Sequence, residues 1–235
     1  MQSFGDNVRS FNAALTLEGI KLPKPIEAMN PFRGENAALI DRVTGQFYGQ
    51  FYPDSNPRHI IFGINPGRHG AGLTGTPFTD TKRLLSECGI EVTEVSSHEL
   101  SSVFVYDVIN AMGGPKAFYE HFYIGNVCPL GFLIPSKTGK LVNFNYYDRA
   151  DLQKVVTPFI VKSIEQQLEF GIHRQRAFVM GKGKNFKYVS KLNKEYGWFE
   201  EVIPLDHPRF VMQYRLKKKA EYVKGYVEAL GLAVE

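Results

Sequence analysis

Two side-chain amides and an imidazole occupy the same kind of place in this sequence. Asn65, Asn126 and His207 each close a short apolar run and open a turn: Asn65-Pro66-Gly67, Asn126-Val-Cys-Pro-Leu130 and His207-Pro208. An amide donates and accepts hydrogen bonds but is no strong base, so Asn65 on a rigid turn can orient a water without deprotonating it fully. The amide of Asn126 can pair with a carbonyl oxygen and an adjacent N–H at once, the pattern that the edge of a base such as uracil presents. An imidazole in the same cleft can stabilise negative charge on a departing group. Each residue also has a plainer role. Asn-Pro starts turns, a strand-end Asn satisfies loop backbone, and a lone His is often structural or solvated.

Other residues extend the pattern. Phe78, at the end of Thr74-Gly75-Thr76-Pro77-Phe78, fits either the core or a stacking wall for a flat base. Gly181-Lys182-Gly183-Lys184 resembles a phosphate cradle at a helix N-terminus. It lacks the spacing and the Ser/Thr of a nucleoside-triphosphate motif, so Lys182 and Lys184 suit a DNA backbone better. Lys187, Lys191 and Lys194 carry the charge onward, and a solvated helix face explains them equally well. In Arg209-Phe-Val-Met-Gln-Tyr-Arg215, Phe210 and Met212 lie between Arg209 and Arg215. That run reads either as a wedge into a base stack or as packing for the last helix.

The elements that must position these residues follow from periodicity and turn signals. Residues 6–17 read as a helix with Phe11, Ala14 and Leu15 on one face. Pro23 and Pro25 end it, and 22–32 is extended. His59–Ile64 is a buried strand, a Gly-rich loop covers 67–75, and Thr79 or Asp80 caps a helix carrying Leu84 and Leu85. A helix spans 99–112, then a short helix and a strand cover 118–127, and turns with short strands fill 131–148. A helix over 148–170 turns Leu152, Val155, Phe159 and Leu168 inward, and Pro158 should kink or split it. Strands at 177–180 and 202–205 follow, then a last helix carrying Leu216, Ala220, Val223, Val227 and Leu230. Strands alternating with helices imply a mainly parallel sheet covered on both faces. Ligands then sit beyond the carboxyl ends of the strands, where the three loops lie.

Composition bounds the rest. The 235 residues fit one domain, 1–235, and a net charge of +4 suits a protein that meets a polyanion on one face. Two cysteines, Cys88 and Cys128, cannot form a four-cysteine iron–sulfur site and make a structural zinc or disulfide framework improbable. The expectation is a reducing, cytoplasmic setting, with no metal and no cofactor. No secretory signal is read in residues 1–12, and no run approaches the ~20 apolar residues of a membrane span.

Gly63-Ile-Asn-Pro-Gly67, Thr74-Gly-Thr-Pro-Phe78, Asn126-Val-Cys-Pro-Leu130 and His207-Pro208 occur in this order. Together they resemble the single-strand-selective monofunctional uracil-DNA glycosylases of the uracil-DNA glycosylase superfamily, from about residue 10 to the C-terminus. The resemblance implies a three-layer α/β/α sandwich around a short, mainly parallel sheet. It implies an enzyme that acts on uracil-containing DNA, for which a monomer is the simplest expectation. It also implies roles: Asn65 holds the water, His207 is catalytic, Phe78 stacks on the flipped base, Asn126 reads the pyrimidine, and Gly67 and Ala71 lie near its C5 side. Arg68-His69 and Arg209–Tyr214 depart from the family's usual continuations, which marks a divergent branch. A damaged-DNA-binding module without catalysis and a small-molecule nucleoside hydrolase are the other classes that fit these residues.

Overall fold

The computed structural model describes residues 2–233. In chain order the elements are α1 (Phe4–Ala14), β1 (Glu27–Met29), α2 (Ala37–Phe51), β2 (Arg58–Gly63), α3 (Ala71–Thr74), α4 (Thr81–Cys88), α5 (Leu100–Ala111), α6 (Pro115–His121), β3 (Phe122–Asn126), β4 (Gly131–Pro135), β5 (Leu141–Phe144), α7 (Ala150–Leu168), β6 (Ile172–Met180), α8 (Lys184–Tyr196), β7 (Glu201–Leu205), α9 (Pro208–Tyr214) and α10 (Lys219–Gly231).

Four strands form a parallel sheet in the order β3-β2-β6-β7. Every residue of β2 and β3 is buried. Successive side chains on a strand point to opposite faces, so both faces of the sheet are covered and the architecture is the expected α/β/α sandwich. Helices α1, α2 and α7 pack as one group, and α4, α5, α9 and α10 as another. The chain leaves β2 toward β3 on one side and leaves β6 toward β7 on the other. Strand order reverses there, and the carboxyl ends of β2 and β6 flank a crevice. A small antiparallel sheet, β1-β4-β5, stands apart. Its last strand delivers Asn143 and Asn145 toward that crevice.

Several sequence expectations are corrected. Helix α1 ends at Ala14, which is exposed, and its inner face is Phe4, Val8 and Phe11. Leu85 is 57% exposed, so Leu84 alone of that pair enters the core. Pro158 does not split α7, which runs unbroken from Ala150 to Leu168. Proline removes only the one N–H that would bond the Lys154 carbonyl, and the ladder continues on either side of it. The buried stripe of α7 is Leu152, Val156, Ile160 and Ile164, with Val155 and Phe159 half-buried. Leu216 and Ala220 are exposed, because a separate helix, α9, and a 3-10 turn precede α10, whose buried anchors are Tyr226 and Leu230. Helix α2, which buries Ile40, Val43, Phe47, Tyr48 and Phe51, has no counterpart in the sequence reading. Among the described residues, no helix is long and apolar enough to cross a membrane.

Candidate active site

The carboxyl ends of the parallel strands open into one cleft of about 340 Å³. Asn65, Gly67, Ala71, Phe78, Asn126, His207, Arg209 and Phe210 all line it. Residues from three distant stretches of chain, 65–78, 126 and 207–210, thus meet in one place.

Asn65 follows β2, and both ends of its amide are tied to the backbone at and just after the end of β5. Its Nδ2 donates to the Phe144 carbonyl at 3.3 Å, and its Oδ1 accepts from the Tyr146 N–H at 3.3 Å. These bonds fix which end is which. They leave a second lone pair and a second hydrogen for a ligand or water.

Asn126 ends β3 and is buried at 8% exposure. Its main-chain carbonyl is taken by Gln167 Nε2 at 3.3 Å. Its side-chain amide makes no hydrogen bond among the described residues, yet it borders the cleft. Opening on the cleft, this amide is free to pair with a polar ligand there. Gly63 makes the arrangement possible. A Cβ there would lie 2.6 Å from Asn126 Oδ1 and 3.0 Å from the Phe78 ring.

Phe78 has φ +52°, the only positive φ at a non-glycine among the described residues. Such a conformation costs on the order of 1–2 kcal/mol and persists only where the surroundings impose it. The surrounding segment does so. The buried Thr74 hydroxyl donates to the Thr79 carbonyl at 2.8 Å, and the Thr79 hydroxyl meets that of Tyr106 at 3.2 Å. Gly75 takes the left-handed turn that a side chain would block, since a Cβ there would lie 2.6 Å from Ile40. The Phe78 ring ends 6.2 Å from the His207 ring, tilted by 56°.

His207 caps α9. Its Nδ1 accepts from the Arg209 N–H at 3.1 Å, which puts the proton of the neutral ring on Nε2. Burial, with the Arg209 charge adding to it, pulls its pKa down to about 4. The ring is therefore a neutral donor at neutral pH, suited to a developing anion rather than to proton release.

Some cleft residues carried no signal that the sequence reading used. Glu99 lays its carboxylate over the loop after β2, where a Cβ on Gly70 would overlap it. Burial and the nearby Asp80 charge raise its pKa, and Arg209 partly offsets them. Asn143 Oδ1 accepts from the Arg68 N–H at 3.0 Å and so closes that loop. The spacing Asn143-Phe-Asn145-Tyr-Tyr147, with polar groups on alternate residues after a β-turn, could have drawn notice; Glu99 reads as an ordinary helix start.

The residues expected to touch DNA are divided. Arg209 and Phe210 line the cleft mouth, and Arg215 lies over the Phe210 ring at 5.4 Å. Lys184 sits 6.0 Å from the ring of Tyr147, a cleft residue. Lys182 pairs with Asp206 at 2.7 Å and lines a neighbouring groove instead. Met212 is buried on the inner side of α9, whereas Tyr214, not singled out in the sequence, is 67% exposed. A helix presents residues i and i+4 on one face, so Phe210 and Tyr214 share the outer face and Met212 turns inward.

The family model of the uracil DNA glycosylase superfamily matches residues 50–231. The chain belongs to this superfamily. Two curated relatives are each 29% identical over 98 residues, the rat single-strand selective monofunctional uracil-DNA glycosylase and its mouse counterpart. The match covers 34% of this chain and spans only 35% of the length of each relative. A likeness over nearly the whole length is to the crystal structure of wild-type Pedobacter heparinus SMUG2. Its TM-score is 0.95 and its identity 45%, covering 99% of this chain and 98% of that one. The superfamily match begins before β2 and runs through α10, so it contains every residue that lines the cleft.

Proposed function

We propose that this chain is a monofunctional uracil-DNA glycosylase that hydrolyses the N-glycosidic bond of deoxyuridine in DNA and leaves an abasic site. The carrying observation is the convergence of Asn65, Phe78, Asn126 and His207 on one cleft in a member of the uracil-DNA glycosylase superfamily. The names of the rodent relatives support the same activity.

In this reading the target nucleotide leaves the stack and enters the cleft. Phe78 stacks on the face of the base, and the free amide of Asn126 pairs with its O4 and N3–H. As the bond to C1′ breaks, positive charge grows on the sugar and negative charge on the base. The neutral Nε2–H of His207 stabilises that anion. Asn65, its amide fixed by Phe144 and Tyr146, holds the water that adds to C1′. Because the base departs as a stabilised anion, a strong general base is not required. No lysine lines the cleft among the described residues, so a Schiff base and strand cleavage are not expected. Arg209, Lys184 and Lys182 would meet phosphates, and Phe210 would serve as the wedge in place of the buried Met212. Gly67 and Ala71 leave space on the C5 side, which oxidised uracils would need. The chain would act as a monomer in the cytoplasm.

The test incubates the protein with uracil-containing oligonucleotides and with free deoxyuridine, scoring free base and alkali-labile sites. Release from DNA but not from the nucleoside is expected. Binding without release would make the chain a damage-sensing module, and hydrolysis of deoxyuridine alone would make it a nucleoside hydrolase. Asn65→Ala should slow single-turnover excision about 100-fold or more while DNA binding stays near wild type. A wild-type rate would remove Asn65 from the chemistry. A panel with 5-hydroxymethyluracil and xanthine, in single and double strands, measures the range.

A further inference from the structure

The backbone that fixes Asn65 belongs in part to a loop. Residues 145–149 join β5 to α7 and lie outside both sheets. The loop bonds to itself: the Asn145 N–H donates to the Asp148 carboxylate at 2.9 Å, and the Asp148 N–H donates to the Asn145 carbonyl at 3.0 Å. Asn65 Oδ1 nevertheless takes its hydrogen from the Tyr146 N–H in this loop. A water poised for attack tolerates little displacement, so something must tie the loop to the rest of the fold.

One side chain does so. Tyr146 is 0% exposed, and its hydroxyl donates to Asn185 Oδ1 at 2.6 Å. Asn185 is 1% exposed and stands in the first turn of α8. Its Nδ2 donates at 2.9 Å to the carbonyl of Met180, the last residue of β6. With Nδ2 committed to a carbonyl, only Oδ1 is left to face Tyr146. Strand β6 pairs with β2, from whose end Asn65 springs. The path Asn65–Tyr146–Asn185–Met180 therefore starts and finishes on neighbouring strands. It also passes close to His207. A Cβ on Gly181, whose φ is +104°, would lie 3.5 Å from Asn185 Cβ and 4.0 Å from His207 Cδ2.

We propose that Asn185 is a positioning residue for the hydrolysis. By holding the Tyr146 hydroxyl it sets the Tyr146 N–H, and through that N–H the Asn65 amide that holds the water. The inference rests on the uracil reading above. The competing account is packing alone, since the Tyr146 ring lies 5.0 Å from the rings of both Tyr147 and Tyr188. The hydroxyl separates the two accounts. A buried O–H deprived of its acceptor must seek another and takes its ring along, whereas a phenyl ring beside an apolar neighbour has no reason to move.

Two variants are compared with the wild type, Asn185→Leu and the same change combined with Tyr146→Phe. Both lose the bond to the Met180 carbonyl, so the difference between them isolates the hydroxyl. Asn185→Leu should slow single-turnover excision of uracil about ten-fold. Its affinity for an oligonucleotide carrying 2′-fluoro-2′-deoxyuridine, which resists cleavage, should stay within about two-fold, because Asn65 and not the base is disturbed. The double variant should recover most of the rate. In an Asn65→Ala background, Asn185→Leu should change the rate less than about two-fold, since there is no amide left to place. A double variant as slow as Asn185→Leu, or an equal loss in both backgrounds, would make Asn185 an ordinary core residue. A second readout needs no activity. Hydrogen exchange of the Tyr146 amide, taken relative to the amides of β2, should be about ten-fold faster in Asn185→Leu and return toward wild type in the double variant. Unchanged exchange in Asn185→Leu overturns the proposal whatever the enzyme does. Failure of the wild type to release uracil would instead sink the functional reading, and the exchange rates would still decide whether Asn185 holds the loop on Asn65.

Discussion

His207 performs two jobs through the two nitrogens of one ring. Nδ1 accepts the Arg209 N–H and so starts α9, and the same bond forces the proton onto Nε2. The two jobs are separable. Asparagine is among the best N-cap residues, but its side chain is shorter than imidazole and cannot place a donor where Nε2–H lies. His207→Asn should therefore stay within about 1 kcal/mol of wild type in stability and still lose about 100-fold in single-turnover excision of uracil. Denaturant melts and rapid-quench kinetics on the same preparation check it. A variant that keeps its rate would show that His207 serves α9 alone. Neither job is legible from His207-Pro208 as a dipeptide. The order of four segments marked the residue, and the geometry supplied the tautomer.

At the scale of elements, the loop that carries Phe78 is bound into the fold by a single buried carboxylate. Asp80, 0% exposed, accepts the Arg83 N–H at 2.9 Å as the cap of α4, and also the Glu99 N–H at 2.7 Å at the start of α5. Arg83 and His98 lie within 3.7 and 3.5 Å of it. Two helix starts and the end of the 74–79 segment thus share one anchor. Asp80→Ala should cost about 2–4 kcal/mol, since it removes two charge-assisted bonds and leaves two buried N–H groups unpaired. The positive φ of Phe78 should then relax, and uracil excision should fall further than the loss of folded protein explains. Chemical denaturation beside single-turnover rates distinguishes the two losses, and a rate that falls only in step with the folded fraction would confine Asp80 to a structural role. The sequence allowed Thr79 or Asp80 as this cap, because both residue types can serve. It could not show the second bond, which comes from a residue 19 positions away. Long-range pairing explains a further miss as well. The strand β1 is three residues long and exists only because it pairs with β4, about a hundred positions later. Helix α2 is a miss of a different kind, since Ile40, Val43, Phe47, Tyr48 and Phe51 are spaced to share one face and its period stood in the sequence unread. The strands β2, β3, β6 and β7 were legible because each is a short apolar run bounded by turn residues, and buried parallel strands need little else.

On the scale of the whole molecule, the titrating groups set how the fold responds to acid. His59, His173 and His207 all have pKa values lowered by burial, with His173 also opposing a charge on His59 and the Arg209 charge adding to the effect on His207. His59 and His173 stack at 4.3 Å between ring centroids, so they resist taking up a second charge. In the unfolded chain these rings bind protons near the ordinary value of about 6.5, while in the folded chain they do not until the pH is lower. Between these limits the unfolded state holds more protons, and stability falls as the pH falls. Glu99 acts in the opposite sense. Its carboxyl is raised by burial, so the folded chain takes its proton first and gains slightly on acidification. Three rings outweigh one carboxyl, and the carboxylates lowered by hydrogen bonds and ion pairs, such as Asp54 and Asp151, add their losses only below the ordinary range for aspartate. The melting temperature should therefore drop between pH 7 and pH 5, before those carboxylates begin to protonate. His207→Asn should make that drop shallower, because it deletes one of the three rings without deleting the helix cap. Calorimetry of both proteins across this window decides the matter, and a wild-type melting temperature flat from pH 7 to pH 5 would mean that the three buried rings take up protons as readily in the folded chain as in the unfolded one.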